Sequence, residues 1–239
     1  MTSGPVEQRY LSERYKESNP NWDLEDSPWK ATLVSAAIER ADLQPGSIAE
    51  IGCGAGGVLA GLRDAFPGSR LVGFDIASAA ASFWPRHAAA RIEFAVGDFF
   101  ELTREDYDVI LLLDVLEHLA DPHSFLTRVR TRARHFVFHF PLDLSALSVL
   151  RETPLIHARE KVGHLHYYTK SLALALLGDC GFEVLDWRYT GAAFNAPQRK
   201  WRTRLASAAR CLVYALNKDF GVRLLGGETL IVVARPHSS

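Results

Sequence analysis

The chain has 239 residues, 48% of them hydrophobic, and its 27 lysines and arginines nearly balance its 28 aspartates and glutamates. This composition predicts one domain with a large core and lacks the basic excess of non-specific nucleic-acid binders, so we expect no nucleic-acid partner. The sequence shows no apolar signal core and no run of about 18 apolar residues, and its three cysteines lie far apart without a CxxC pair. We therefore expect a cytoplasmic protein without a membrane span.

Helix-like and strand-like stretches alternate from Ser27 onward. The pattern predicts a first helix capped by Ser27, with Pro28 as its first residue. Short apolar runs bounded by Gly, Pro or acidic residues then predict seven strands. These runs are IAEIG, RLVGFDI, IEFAVGD, YDVILLLDV, HFVFHFP, FEVLDWRYT and TLIVVAR. Helical patterns lie between them, so we expect a parallel sheet covered on both faces.

The chain is predicted to be a single domain over residues 1–239, with a helical N-terminal cap at 1–45. Two insertions are predicted, at 142–170 and 191–228, because both segments interrupt the alternation. Extra segments after late strands lie at the carboxyl end of the sheet, so we expect them to wall the ligand site. Residues 198–218 have an amphipathic pattern. The pattern predicts a helix that packs on the body, on a second subunit or, weakly, on a membrane surface. We expect a monomer or a homodimer.

A glycine-rich turn follows the first strand in SIAEIGCGAGGVLAGL. Gly52, Gly54 and Gly57 fit a GxGxxG pattern, in which glycine allows a tight turn and a close approach of the backbone to a ligand. Glu50 precedes the first glycine by two residues. A buried carboxylate there sits poorly beside a pyrophosphate but accepts hydrogen bonds from cationic or hydroxylated groups. The turn therefore favours a ligand other than a dinucleotide.

Four motifs in order resemble those of class I S-adenosylmethionine-dependent methyltransferases. EIGCGAG resembles their ExGxGxG motif, GFDI and VGDFF match the ends of the second and third strands, and YDVILLLDVLEHLADP covers the fourth. GHLHYYTKSLALALLGDCGF is similar to a stretch of the type 11/12, ubiquinone-methyltransferase-like branch. The resemblance implies an α/β, Rossmann-like sheet of seven strands in the order 3-2-1-4-5-7-6, with the last strand antiparallel and S-adenosylmethionine as methyl donor.

The resemblance also implies a set of cofactor-binding residues. Asp75 is expected to accept the ribose hydroxyls, and Asp98 the adenine amine, while Phe99 or Ile76 packs on the ring. The alternatives are a helix cap for Asp75 and a turn carboxylate for Asp98. The full predicted set is Glu50, Gly52, Gly54, Asp75, Ile76, Asp98, Phe99 and Asp114.

A general base helps methyl transfer to a hydroxyl or amine, because that acceptor must lose a proton. The candidate catalytic residues are His118, His139, Asp143 and His164. The candidate substrate-binding residues are Trp22, Trp29, His166 and Tyr168. Aromatic faces attract sulfonium-type cations, although Trp29 also fits an ordinary core position.

A divalent metal is an alternative for the acidic residues that follow the fourth strand. Asp114, Glu117, His118 and Asp121 include ligand types for such an ion, but their spacing equally fits a strand end and a helix cap. We therefore expect no bound metal.

The predicted function is methyl transfer from S-adenosylmethionine to a small-molecule acceptor such as a sugar, a quinone or a specialised metabolite. An alternative is a cyclase that converts S-adenosylmethionine alone into azetidine-2-carboxylate and methylthioadenosine, with Asp143 or His139 taking the amine proton. A non-catalytic S-adenosylmethionine-binding module is a third possibility, which the presence of Glu50, Asp75, Asp98 and Asp114 disfavours.

Overall fold

The computed structural model describes residue 22 and residues 24–195 and 213–237. Within these residues seven strands form one sheet, in the order β3-β2-β1-β4-β5-β7-β6. The strands are β1 (Ser47–Ile51), β2 (Arg70–Asp75), β3 (Ile92–Val96), β4 (Tyr107–Leu113), β5 (Ala133–Leu142), β6 (Phe182–Tyr189) and β7 (Glu228–Pro236). β7 runs antiparallel to both β5 and β6, and β1 to β5 are parallel. The predicted strand order and antiparallel last strand are confirmed.

Helices connect the strands. The α-helices are α1 (Ser27–Arg40), α2 (Gly57–Leu62), α3 (Phe99–Leu102), α4 (Pro122–Val129), α5 (Ala146–Arg151), α6 (Thr153–His157), α7 (Lys170–Asp179), α8 (Ala192–Asn195) and α9 (Lys218–Leu225). Shorter helical turns are Leu116–His118 and Arg130–Arg132, both 3₁₀, and a π-helical turn at Ala158–Val162.

One helix prediction needs correction. The first helix begins at Ser27 itself, and Asp26 occupies the cap position, one residue before the predicted cap. The segment after β2 is a 3₁₀ helix, Ser78–Ala90, with Pro85 inside it. Proline has no N–H to donate and its ring clashes with the preceding turn, which disfavours a regular α-helix there.

Apolar side chains pack on both faces of the sheet. On one face, α1 and α2 pack Val34, Ile38, Leu59 and Leu62 against the strands. On the other face, a cluster from β5, α4 and α7 contains Phe136, Phe138, Leu126 and Leu177. Successive residues of a strand point to opposite faces, and accordingly Ile48 joins the first cluster and Ala49 the second. The predicted two-faced burial of the sheet is confirmed.

The parallel strands bring four chain segments to one edge of the sheet. The carboxyl ends of β1, β2, β4 and β5 lie there, which is where open α/β sheets bind ligands. The segment 142–170 returns to this edge, because Leu144 N donates to the carbonyl of Tyr168 at 3.2 Å. These ends therefore position the site.

The part of the chain that the structure describes includes no helix with the length and apolar character of a membrane span. Residues 1–21 of the predicted cap, Cys211 and residues 198–212 of the predicted amphipathic segment lie outside the described residues.

Candidate active site

The glycine turn after β1 has a backbone that other residues fit poorly. Gly52 and Gly54 have φ angles of 76° and 50°, in the left-handed region that favours glycine. A Cβ at Gly52 would lie 2.8 Å from the Val115 side chain. The Trp84 indole donates to the Gly54 carbonyl at 2.9 Å, a contact that the sequence did not indicate. Both glycines are thus required by the local conformation.

Asp75 lies beside this turn and is buried. Its two carboxylate oxygens accept hydrogen bonds from Gly54 N and Ala77 N, each at 2.8 Å. Burial raises the pKa of Asp75, and the two N–H donors oppose that shift. The backbone contact expected of a cap is therefore present at Ala77. Each oxygen also has a second lone pair, so these contacts leave acceptor capacity for ribose hydroxyls.

The two residues predicted to pack on adenine differ in exposure. Phe99 is 3% exposed and its ring lies 5.1 Å from that of Phe74, inside the core, whereas Ile76 is 39% exposed. Asp98 caps α3 by accepting from Phe100 N at 2.6 Å, as in the turn-carboxylate alternative. Ile76 is therefore the one of the two that offers a face at the surface.

Glu50 is a buried carboxylate at the base of the site. Its Oε2 atom has no hydrogen-bond partner. Burial raises the pKa of Glu50 to about 8, against the lowering effect of Lys30, and Asp75 adds to the rise. Lys30 Nζ lies 2.7 Å from Asp114 Oδ2. Lys30 thus pairs with Asp114 and also acts on the buried Glu50.

Sequence reasoning missed Lys30, although a signal was present. Lys30 precedes Val34 by four residues, so it lies on the buried stripe of α1 rather than on the opposite face. A lysine on such a stripe indicates a buried charge partner, because an unpaired ammonium is costly to bury.

His139 forms the centre of a hydrogen-bonded network. Its Nδ1 lies 2.6 Å from Asp114 Oδ1 and its Nε2 lies 2.8 Å from Thr229 Oγ1. Despite burial, which acts the other way, the charges of His139 and Lys30 lower the pKa of Asp114 well below its usual value. The Trp29 ring packs edge-on against His139 at 6.2 Å. Both ring nitrogens of His139 therefore have partners, and the ring orients the Asp114 carboxylate.

A second cluster combines the other three predicted catalytic residues with Glu117. Glu117, His118 and His164 have potential ligand atoms that lie within 4.8 Å of one another. Asp143 Oδ2 lies 2.6 Å from His164 Nδ1. Glu117 is 0% exposed, and neither of its carboxylate oxygens has a hydrogen-bond partner. Burial, with the nearby Asp114, raises the pKa of Glu117 well above its usual value.

The remaining predicted substrate residues have varied surroundings. Trp22 lies against the glycine turn, where a Cβ at Gly54 would be 3.9 Å from its ring. Tyr168 is buried, with its ring 5.2 Å from Phe140, and therefore belongs to the core. His166 Nε2 lies 2.9 Å from the carbonyl of Leu119, which fixes the 142–170 segment to the turn after β4.

Asp121 does not join either cluster. Its side chain accepts from Ser124 N at 3.0 Å and caps α4, as in the helix-cap alternative. Asp114 pairs with Lys30 and His139 instead. The four-residue metal set considered from the sequence is therefore not brought together, although Glu117 and His118 meet at His164.

Comparison with known proteins agrees with this geometry. Residues 49–135 match the family model described as a methyltransferase domain, a segment that runs from β1 to β5 and includes the glycine turn. No curated protein sequence matches the chain.

Solved methyltransferase structures have the same fold. Magnesium protoporphyrin IX methyltransferase from Synechocystis PCC 6803, with bound S-adenosylhomocysteine, is 17% identical over 97% of this chain and 98% of that chain, with a TM-score of 0.62. The plantazolicin methyltransferase BpumL, in complex with a desmethyl-plantazolicin analog and S-adenosylhomocysteine, is 17% identical over 98% and 94%, with a TM-score of 0.64. The N-methyltransferase NodS from Bradyrhizobium japonicum WM9 is 16% identical over 98% and 97%, with a TM-score of 0.58.

These likenesses establish the fold as that of class I S-adenosylmethionine-dependent methyltransferases. Together with the family match, they confirm the resemblance drawn from the sequence motifs. The ubiquinone-methyltransferase-like branch stays a prediction.

Proposed function

We propose that the protein is an S-adenosylmethionine-dependent methyltransferase that acts on a small-molecule acceptor. The observation that carries this proposal is the charge pattern around the glycine turn. Glu50 is buried with an unpartnered oxygen, Lys30 pairs with Asp114, and Asp75 accepts from Gly54 N in the turn. A zwitterionic methionine tail joined to a ribose diol matches that pattern in charge and hydrogen-bonding capacity.

Each residue has a proposed role that its chemistry supports. Asp75 accepts hydrogen bonds from the ribose hydroxyls, and Ile76 packs on the adenine. Glu50 and Asp114 attract the amino group, and Lys30 attracts the carboxylate of the methionine part. When bound, S-adenosylmethionine supplies an activated methyl group, so the protein has mainly to orient the acceptor and receive its proton. The neighbouring structures with S-adenosylhomocysteine support this choice of cofactor.

We place the acceptor at the cluster of Glu117, His118 and His164. Asp143 accepts from His164 Nδ1, which fixes the ring and leaves Nε2 as the nitrogen for the acceptor side. Sugars, quinones in their reduced form and specialised metabolites all present hydroxyl groups that such a cluster suits. The plantazolicin and magnesium protoporphyrin methyltransferases support a small-molecule acceptor in general.

The cyclase alternative has less support. It needs His139 or Asp143 to take a proton from the amine, but His139 bonds to Asp114 and Thr229, and Asp143 to His164. Incubation with S-adenosylmethionine alone separates the two reactions. A methyltransferase leaves the compound nearly intact, whereas sustained release of methylthioadenosine would favour the cyclase.

Calorimetry with S-adenosylhomocysteine tests the cofactor assignment. We expect wild-type protein to bind and Asp75→Ala to bind about 10- to 100-fold more weakly, which corresponds to about 1.5–3 kcal/mol for a lost charged acceptor. Asp64→Asn is the matched control, because Asp64 is an exposed acid outside the site. Absence of wild-type binding, or equal affinity of the Asp75 variant, would contradict the proposal.

A further inference from the structure

Glu117 poses an electrostatic problem that its surroundings in the structure do not solve. The side chain is fully buried, and both oxygens lack a hydrogen-bond partner. A buried carboxylate without a partner is costly, so it must take up either a proton or a cation. A proton satisfies one oxygen at most, and two histidines lie alongside. The arrangement of ligand types favours the cation.

We propose that Glu117, His118 and His164 form a binding site for a divalent first-row transition-metal ion. Their candidate ligand atoms already lie within 4.8 Å of one another, and the His118 and His164 rings are 4.9 Å apart between centroids. Metal–ligand bonds of about 2.0–2.2 Å require these atoms to approach one another by roughly an ångström. This departs from our sequence-based expectation that the protein binds no metal.

The surrounding contacts orient the three ligands. Asp143 Oδ2 lies 2.6 Å from His164 Nδ1, so the carboxylate fixes the ring and leaves Nε2 for the ion. Leu165 N and His166 N donate to the Glu117 carbonyl at 2.7 and 3.1 Å. These bonds hold the chain around His164 against the 3₁₀ turn that contains Glu117 and His118. Backbone hydrogen bonds therefore hold the segment that carries His164 beside the turn that carries Glu117 and His118.

The ligand types select among metals. Two imidazoles and one carboxylate suit Zn²⁺, Co²⁺, Fe²⁺ or Mn²⁺, whereas Mg²⁺ and Ca²⁺ prefer oxygen ligands alone. Three protein ligands also leave a coordination position open, as in catalytic zinc sites. A cation there attracts an oxygen-bearing acceptor and favours its deprotonated form. This consequence rests on the proposed function and narrows the acceptor to a hydroxyl compound; the cation binding itself does not depend on it.

Cobalt titration of the full chain, freed of any tag and treated with chelator, tests the site. We expect one Co²⁺ per chain, with visible absorption bands that Zn²⁺ displaces and Mg²⁺ does not. Glu117→Gln and His118→Ala should each weaken Co²⁺ binding at least tenfold. His123→Ala is the matched control, because His123 is an exposed histidine on α4, and it should bind like the wild type.

The outcomes separate this inference from the proposed function. If the wild type binds no Co²⁺ or Zn²⁺, or if Glu117→Gln binds them equally well, Glu117 is a protonated core residue and the site is refuted. Binding of S-adenosylhomocysteine is measured separately on the metal-free protein, so its loss overturns the proposed function alone. Circular dichroism checks the fold of each variant, and the partly exposed His118 provides a test if Glu117→Gln fails to fold.

Discussion

Acidic residues find their hydrogen-bond partners differently in two parts of the site. On the predicted cofactor side, Asp75 and Asp98 each accept a hydrogen bond from the backbone N–H two residues further along the chain. At the ends of β4 and β5, Asp114 and Asp143 pair with histidine side chains, and Glu117, just after β4, has no hydrogen-bond partner. Backbone donors come with the turn itself, whereas side-chain partners must be supplied by distant parts of the chain. The bonds that Asp75 and Asp98 accept from Ala77 N and Phe100 N are thus set by local structure, and the histidine pairs of Asp114 and Asp143 by tertiary packing.

The strongest test of this difference is removal of Lys30, a distant side chain that pairs with Asp114. Lys30→Met removes the ammonium group that pairs with Asp114 and acts on Glu50, and loss of one partner of a buried pair costs about 3–5 kcal/mol. Because Lys30 retains some exposure, we expect the lower figure, about 3 kcal/mol, in the free energy of unfolding measured with urea. Binding of S-adenosylhomocysteine should fall as well.

Arg40 on the same helix provides the matched control. It forms an ion pair with Asp186 at 2.9 Å, but Arg40 is 36% exposed. Exposed pairs contribute about 0–1 kcal/mol, so Arg40→Met should change the free energy of unfolding by no more than that. Equal effects of the two substitutions would mean that Lys30 is an ordinary surface lysine.

A substitution confined to the cofactor side should have a smaller effect. Gly52→Ala places a methyl group 2.8 Å from the Val115 side chain at a φ of 76°. The left-handed conformation costs alanine about 1–2 kcal/mol, so we expect a loss of about 2 kcal/mol in unfolding free energy together with weaker cofactor binding. Gly68→Ala is the control, since a Cβ there meets no atom within 4 Å. An equal loss of unfolding free energy in both variants would show that a side chain at position 52 strains the turn no more than one at position 68.

The same difference explains what the sequence could predict. The glycine turn, Asp75 and Asp98 lie in short motifs at strand ends, and the strand order followed from the resemblance that these motifs carry. Pairing of His139 with Thr229 joins residues 90 apart, and His164 reaches Asp143 across 21 residues. No local pattern specifies such partners. They depend on which strand ends lie side by side.

The spacing of residues in the sequence also could not predict how exposed each side chain is. Phe99 follows Asp98 directly and was expected at the ligand, but the first residue of α3 turns into the core against Phe74. Tyr168 likewise packs on Phe140. In contrast, Lys30 was overlooked although its position on the apolar stripe of α1 was readable. Spacing thus identified which residues follow the strands, but not which way their side chains point.

Glu50 gives the cofactor side a pH dependence. The groups that act on Glu50 are Lys30, which lowers its pKa, and Asp75, which raises it, while burial holds the pKa at about 8. A raised carboxyl pKa stabilises the fold fully below the unfolded value of 4.5, and that contribution is lost as the pH rises toward about 8. The free energy of unfolding of the ligand-free protein should therefore fall over this interval, and less steeply in Glu50→Gln.

Ligand binding should show the opposite sign. An amino group binds the ionised form of Glu50, and the ionised fraction rises roughly tenfold per pH unit below the pKa. We therefore expect the affinity for S-adenosylhomocysteine to rise by up to about tenfold between about pH 6.5 and 7.5, and to change little in Glu50→Gln. Calorimetry at each pH in two buffers also reports the proton released on binding. An affinity that is flat in the wild type, or a slope that survives in Glu50→Gln, would mean that Glu50 stays protonated with ligand bound, and that Asp114 alone attracts the amino group.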